Sequence, residues 1–187
     1  MATVLKVNIN DLNSQFFLDL GQKVADATEI EIRIPDQPSK IELFPDADFW
    51  KIIDCLDWSK EEPAEILLPA IKKLAAMPVV NIYLFADKLA EKLFELDTRS
   101  HGEAYLQQVG EDDISIDDFL YARCAVVAEG KSYFEEVLQD PQAISGESTF
   151  ESILNLPDGA YELKTGREFE YLPSINHETY SNHINWN

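Results

Sequence analysis

Apolar positions recur along this chain with two different periods, and the change of period divides it. Near the N-terminus Leu5, Val7 and Ile9 alternate with Lys6 and Asn8, and Ile30, Ile32 and Ile34 alternate with Glu29, Glu31 and Arg33. A period of two places one set of side chains on one face of a strand. Between these runs Leu12, Phe16, Leu20 and Val24 recur every four residues with Phe17 beside them, which predicts a helix capped by Asp11 or Asn13. The expectation is a strand–helix–strand unit over residues 1–36. Two such strands are marginal alone, so the unit is expected either to self-pair into a homodimer or to dock on the rest of the chain. Pro35 and Pro38 disfavour both helix and ladder pairing and open a linker over 37–45.

Residues 46–187 read as a mostly helical domain. Asp48 precedes Phe49 and Trp50, with Ile52, Ile53 and Leu56 at helical spacing. Pro63 suits a first turn, and Ile66, Leu67, Ala70, Ile71 and Leu74 form a face that Pro78 closes. Pro69 inside that run is expected to start the helix late or kink it. Ile82, Phe85, Leu89, Leu93 and Leu96 form the cleanest amphipathic pattern, with Lys88, Glu91, Lys92 and Glu95 expected outward. Ser115 to Asp118 reads as a capped start for the next helix, which runs through Arg123. A short helix is expected near 150–154 and another over 160–165, where Gly166 suits the C-cap. The fold class expected is mixed α/β (α+β): the small strand–helix–strand unit followed by the helical domain.

Composition narrows the classes of function. The chain has 187 residues, 45% of them hydrophobic, enough for a core of its own. No apolar run approaches the roughly 20 residues of a membrane span, and the N-terminus lacks a signal-peptide pattern. Cys55 and Cys124 are the only cysteines, which reads as reduced and cytoplasmic. The net charge is −20. Residues 1–40 carry four basic and six acidic side chains, so nearly all the acidity lies in the second part. Such a field repels nucleic acid and anionic membrane and attracts basic proteins.

One stretch carries more chemistry than the rest. From Phe119 to Ala128 every residue but Arg123 is apolar or aromatic. A charge in that setting needs a partner or a ligand. Arg123 is expected to be buried against a carboxylate, Asp97 first, with Asp117, Asp118 and Glu162 as other candidates. Read functionally, it would recognise a carboxylate or phosphate. Asp97, Thr98, Arg99, Ser100 and His101 form the densest cluster of reactive side chains. They are expected at the end of the long helix, where Arg99 and His101 would suit the C-terminal dipole. The carboxylates of Glu111 to Asp113 and of Asp117 and Asp118 lack calcium-loop spacing. His177 and His183 match no zinc pattern, and no phosphate loop or nucleophile elbow occurs. No metal, cofactor or catalytic set is expected.

Several blocks in order carry a resemblance: Asp48-Phe49-Trp50-Lys51-Ile52-Ile53, Leu93 to Arg99, Phe119 to Cys124, Gly130 to Phe134, Ala160 to Gly166, and Tyr180-Ser181-Asn182. Together they resemble a bacterial domain-of-unknown-function family numbered 4240, over roughly residues 46–182. The resemblance implies a bacterial, non-secreted, mostly helical domain and carries over no catalytic residues. The N-terminal unit lies outside it and is similar to the dimerising N-terminal part of some bacterial antitoxins. The expected function is an acidic cytoplasmic protein-interaction module, immunity- or antitoxin-like, with a basic protein as partner. The alternative is an enzyme or small-ligand-binding protein with a pocket around Arg123 that uses Asp97, Arg99 and His101.

Overall fold

The computed structural model describes residues 5, 7–25, 28, 30–32 and 43–187, and the chain divides into two compact units, Met1–Ile41 and Glu42–Asn187.

The N-terminal unit corrects the expected fold class. No strand occurs among the described residues, so the protein is not mixed α/β there but all-helical. Ile9 opens a 3-10 turn, Ile9–Asp11, which the Asn8 side chain caps by accepting from the Asn10 amide at 3.0 Å. Leu5, Val7, Ile30 and Ile32 lie outside any helix or strand and are exposed; Ile34 lies outside the described residues. Alternation marks a strand only when one face is buried and the edges find partners. The described residues of these two short runs are exposed. The helix between them forms as α1, Ser14–Gly21, and its cap is Asn13, which accepts from the Phe16 amide at 3.0 Å.

The second unit is a helical bundle. Its elements are α2 (Asp46–Ile53), α3 (Pro63–Ala76), α4 (Val79–Glu95), α5 (Arg99–Val109), α6 (Ile116–Ala128) and α7 (Lys131–Gln139). A 3-10 turn at Glu151–Asn155 leads into α8 (Leu156–Thr165), and a short α9 (His183–Trp186) ends the chain. Helix α6 is the centre: nine of its thirteen residues are buried, as a helix apolar all round must be. Helix α8 packs on α3 and α4, and α4 packs on α6.

Two local details depart from expectation. Helix α3 starts at Pro63 and runs through Pro69, whose ring lies on the exposed face, where water can serve the carbonyl it leaves unbonded. Lys92 on α4 is buried rather than outward. Its ammonium pairs with Asp46 at 3.2 Å and Glu95 at 3.1 Å and lies 5.4 Å from the Phe134 ring centroid. Lys88 pairs with Asp46 at 3.3 Å, which pins the start of α2 to α4. Burial opposes it, yet these two ammonium groups hold the Asp46 carboxyl below the usual carboxylate range. Gly130, at φ 101°, breaks the chain between α6 and α7 in a region that favours glycine. No helix among the described residues is long and apolar enough to cross a membrane.

Candidate functional site

Arg123 is fully buried on α6. Its Nη1 donates to the carbonyls of Leu93 at 2.8 Å and His177 at 3.1 Å, and its Nη2 donates to the Thr179 hydroxyl at 2.9 Å. Thr179 passes the bond on, donating to the Ile116 carbonyl at 2.7 Å. The guanidinium lies 4.9 Å from the Phe119 ring centroid, and its Nε has no partner. It forms no ion pair among the described residues. Burial weakens its hold on its proton, and the nearby charge of Asp97 opposes that effect. The groups that take up this guanidinium are thus neutral oxygens of α4 and of the C-terminal segment, with Asp97 acting through space.

Asp97 is equally buried and serves the same segment. One carboxylate oxygen accepts from the Tyr180 amide at 3.1 Å and the Trp186 indole N–H at 2.8 Å. The other accepts from the Asn182 amide at 2.9 Å, with the Ser181 hydroxyl 3.2 Å away. Four donors around one carboxylate make a site for a negative charge. The turn this requires puts Tyr180 at φ 71°, a left-handed conformation costing roughly 1–2 kcal/mol for a non-glycine residue. The Trp186 ring then lies over Gly102, where a Cβ would stand 2.5 Å from the ring carbon Cη2. Only glycine permits that approach.

The Asp97–His101 cluster does not lie at a helix C-terminus. Leu96 ends α4, and Thr98 caps a new helix, accepting from the His101 amide at 3.3 Å. Arg99 and His101 are therefore in the first turn of α5, the end where the dipole disfavours cations. His101 answers by staying neutral. Its Nε2 lies 3.1 Å from the Val137 carbonyl, which can only accept, so Nε2 carries the proton. Nδ1 then accepts from the Thr98 hydroxyl at 2.7 Å. Burial pushes the imidazole below the usual histidine range; the Val137 bond opposes this and the Arg123 charge adds to it. Arg99 is exposed and makes no hydrogen bond or ion pair among the described residues. Asp97, His101 and Arg123 are thus consumed by the chain's own bonds, and Arg99 stands exposed.

Clefts open on the surface of this unit, and Arg123 lines neither of the two described next. One, about 220 Å³, lies between α4, the start of α8 and the C-terminal segment, with Asp158, Tyr171 and His177 among its walls. The other, also about 220 Å³, is bounded by Ile53, Leu56, Trp58 and Ala128 and carries the carboxylates of Asp54 and Glu129. Trp58 is 51% exposed and lies with its ring centroid 5.0 Å from that of Phe150. Neither carboxylate is paired among the described residues. Asp158 carries no signal in the sequence, and Trp58 reads there as a core or rim residue rather than a stacking platform. Its setting between Asp57 and Ser59, with Cys55 its one apolar neighbour at helical spacing, is the signal of its exposure. Among the described residues no group of three or more His, Cys, Asp and Glu side chains could hold a metal ion.

A family model described as "Protein of unknown function (DUF4240)" matches residues 45–182, a span that includes Asp97, Arg123 and Thr179 and leaves the N-terminal unit outside. No curated protein and no solved structure matches the chain.

Proposed function

The chain belongs to this family of unknown function, and we propose that it is an acidic protein-interaction module of the bacterial cytoplasm, which captures a basic partner protein as an immunity protein or antitoxin does. The observation that supports this reading is the fate of the charged side chains. Asp97, His101 and Arg123 are spent on internal bonds and line neither cleft. Among the described residues burial also removes two of the eleven cations of residues 41–187 from the surface, Arg123 and Lys92, and one of the twenty-nine carboxylates, Asp97. The exterior is therefore more negative than composition alone implies, and such a field steers a basic partner to it.

The cleft with Trp58, Asp54 and Glu129 is the part of that surface best suited to a lysine or arginine side chain. Its carboxylates would take the charge and the indole face would stack on it. The N-terminal unit, with Phe17 and Leu18 exposed on α1, is the proposed homodimer contact. The experiment is affinity capture from the native host at low salt, followed by titration of the isolated complex with salt and with a Trp58→Ala, Asp54→Asn, Glu129→Gln variant. A basic partner whose affinity falls steeply between 0.05 and 0.5 M salt, and falls again in the variant, is expected, since exposed charges are screened beyond about 10 Å at 0.1 M. An acidic partner, or an affinity indifferent to salt, contradicts electrostatic capture.

A further inference from the structure

The cleft between α4 and the C-terminal segment has mostly apolar walls and carries one carboxylate, Asp158, that meets no cation among the described residues. Ala86, Leu89 and Ala90 of α4 form one side, and Phe169 and Leu172 form the other. Three polar side chains interrupt them. Asp158 is exposed to solvent and makes no hydrogen bond or ion pair among the described residues. His177 keeps a buried Nδ1 that has no partner. Tyr171 donates its hydroxyl proton to Asp87 at 2.9 Å, which leaves its oxygen only as an acceptor.

These groups share a direction. A carboxylate and a committed phenol oxygen can accept and cannot donate, and a neutral imidazole nitrogen can accept. Burial, together with the negative charge of Glu168, pushes the Asp158 carboxyl above the usual carboxylate range, the behaviour of a carboxylate that lacks a cation. Burial holds the His177 imidazole below the usual range, so it is neutral near pH 7. No cation answers Asp158 among the described residues, and a charged donor fits it. The size sets the body that comes with it. A cavity of about 150 Å³ lined by apolar side chains holds benzene, so about 220 Å³ takes a ring with a short side arm.

We propose that this cleft binds a small primary amine with an aromatic or branched-alkyl body, its ammonium directed at Asp158 and its body against α4 and Phe169. The site is separate from the surface proposed to capture a basic protein, so the two readings fail independently.

The test is an NMR titration of the full chain with 2-phenylethylamine and with two molecules of similar shape, 2-phenylethanol and 3-phenylpropionate. The amine is expected to saturate with a Kd of about 1 mM or tighter, with shifts confined to α4 and the C-terminal segment. The alcohol and the acid are expected to bind at least about tenfold more weakly, because they cannot supply the charge. Asp158→Asn should weaken the amine by about tenfold with thermal unfolding unchanged. Leu172→Lys, at a position 90% exposed on the rim, should weaken it too, by supplying a competing ammonium. Equal binding of the three probes, absence of saturation by the amine, or an affinity unchanged in both variants would overturn the proposal.

Discussion

Arg123 and Asp97 form no ion pair, yet they grip the same segment of chain from opposite sides of its turn. The guanidinium binds the His177 carbonyl and the Thr179 hydroxyl, and the carboxylate binds the amides of Tyr180 and Asn182 and the indole of Trp186. Two buried charges of opposite sign, each solvated by neutral groups of one C-terminal strap, make that strap part of the core. Their mutual attraction acts through space, and the strap supplies the hydrogen bonds that a direct pair would have taken.

Arg123→Met tests the first half of the clamp. The substitution keeps the apolar volume and leaves the buried Leu93 and His177 carbonyls and the Thr179 hydroxyl short of a donor. Each such loss costs about 1–3 kcal/mol, so a fall in stability on the order of 3 kcal/mol is expected by urea unfolding. Arg123→Lys should recover only part of it, since an ammonium cannot reproduce the planar fork. A loss under about 1 kcal/mol in the Met variant would mean that the guanidinium is not holding these groups.

Gly102→Ala tests the seat of Trp186. In an ordinary helix the change to alanine stabilises by about 1 kcal/mol. Here the new methyl would meet the Trp186 ring at 2.5 Å and the Ile114 Cδ1 at 2.7 Å. Ile114 can turn its tip away, but the indole is tied to Asp97 and cannot. A net loss of about 1–3 kcal/mol is expected, and removing the ring by Trp186→Ala should make the second change at 102 nearly neutral or stabilising. Additive losses in the double variant would place the ring elsewhere.

Stability should fall with pH on the acid side of neutrality. Burial leads in holding both His101 and His177 below the ordinary histidine value of 6.5. The unfolded chain therefore binds protons at these two positions before the folded chain does. By linkage the stability they contribute is full above the unfolded value and is lost as the pH falls below it. Each group can contribute a slope of up to about 1.4 kcal/mol per pH unit. Unfolding midpoints measured from pH 7.5 to 5.5 should drop, and His101→Gln should flatten the drop while lowering the plateau. A profile flat through this window contradicts a buried neutral His101.

Helical periodicity made most of the second unit legible, because each of its helices buries a face against α6 or its neighbours. Ser115 and Gly166 are legible as caps because their signals are local, and Asn13 is one of the two residues, with Asp11, that the sequence offers as the cap of α1. The N-terminal alternation misleads, since Leu5, Val7, Ile30 and Ile32 alternate as strand residues do but find no ladder and no burial. The start of α5 was hidden as well. Thr98 begins that helix two residues after α4 has ended, and a sequence that passes from helix to helix with no glycine or proline between them reads as one ending. That reading assigned Arg99 and His101 to the wrong helix terminus. Arg123 stood out by its apolar setting, but its partners did not, because backbone carbonyls leave no trace in the residue types.

Amide hydrogen exchange at Tyr180 and Asn182 tests the clamp most directly. In the intact chain both N–H groups donate to buried Asp97, so they should exchange on the order of a hundredfold or more slower than unstructured peptide. Asp97→Asn, which keeps the shape and replaces an acceptor oxygen by a donor, should bring both amides close to the unstructured rate while α6 stays protected. Exchange of Tyr180 and Asn182 at the unstructured rate in the unsubstituted protein would contradict the account, for Asp97 and Arg123 would then be buried charges without the strap that satisfies them.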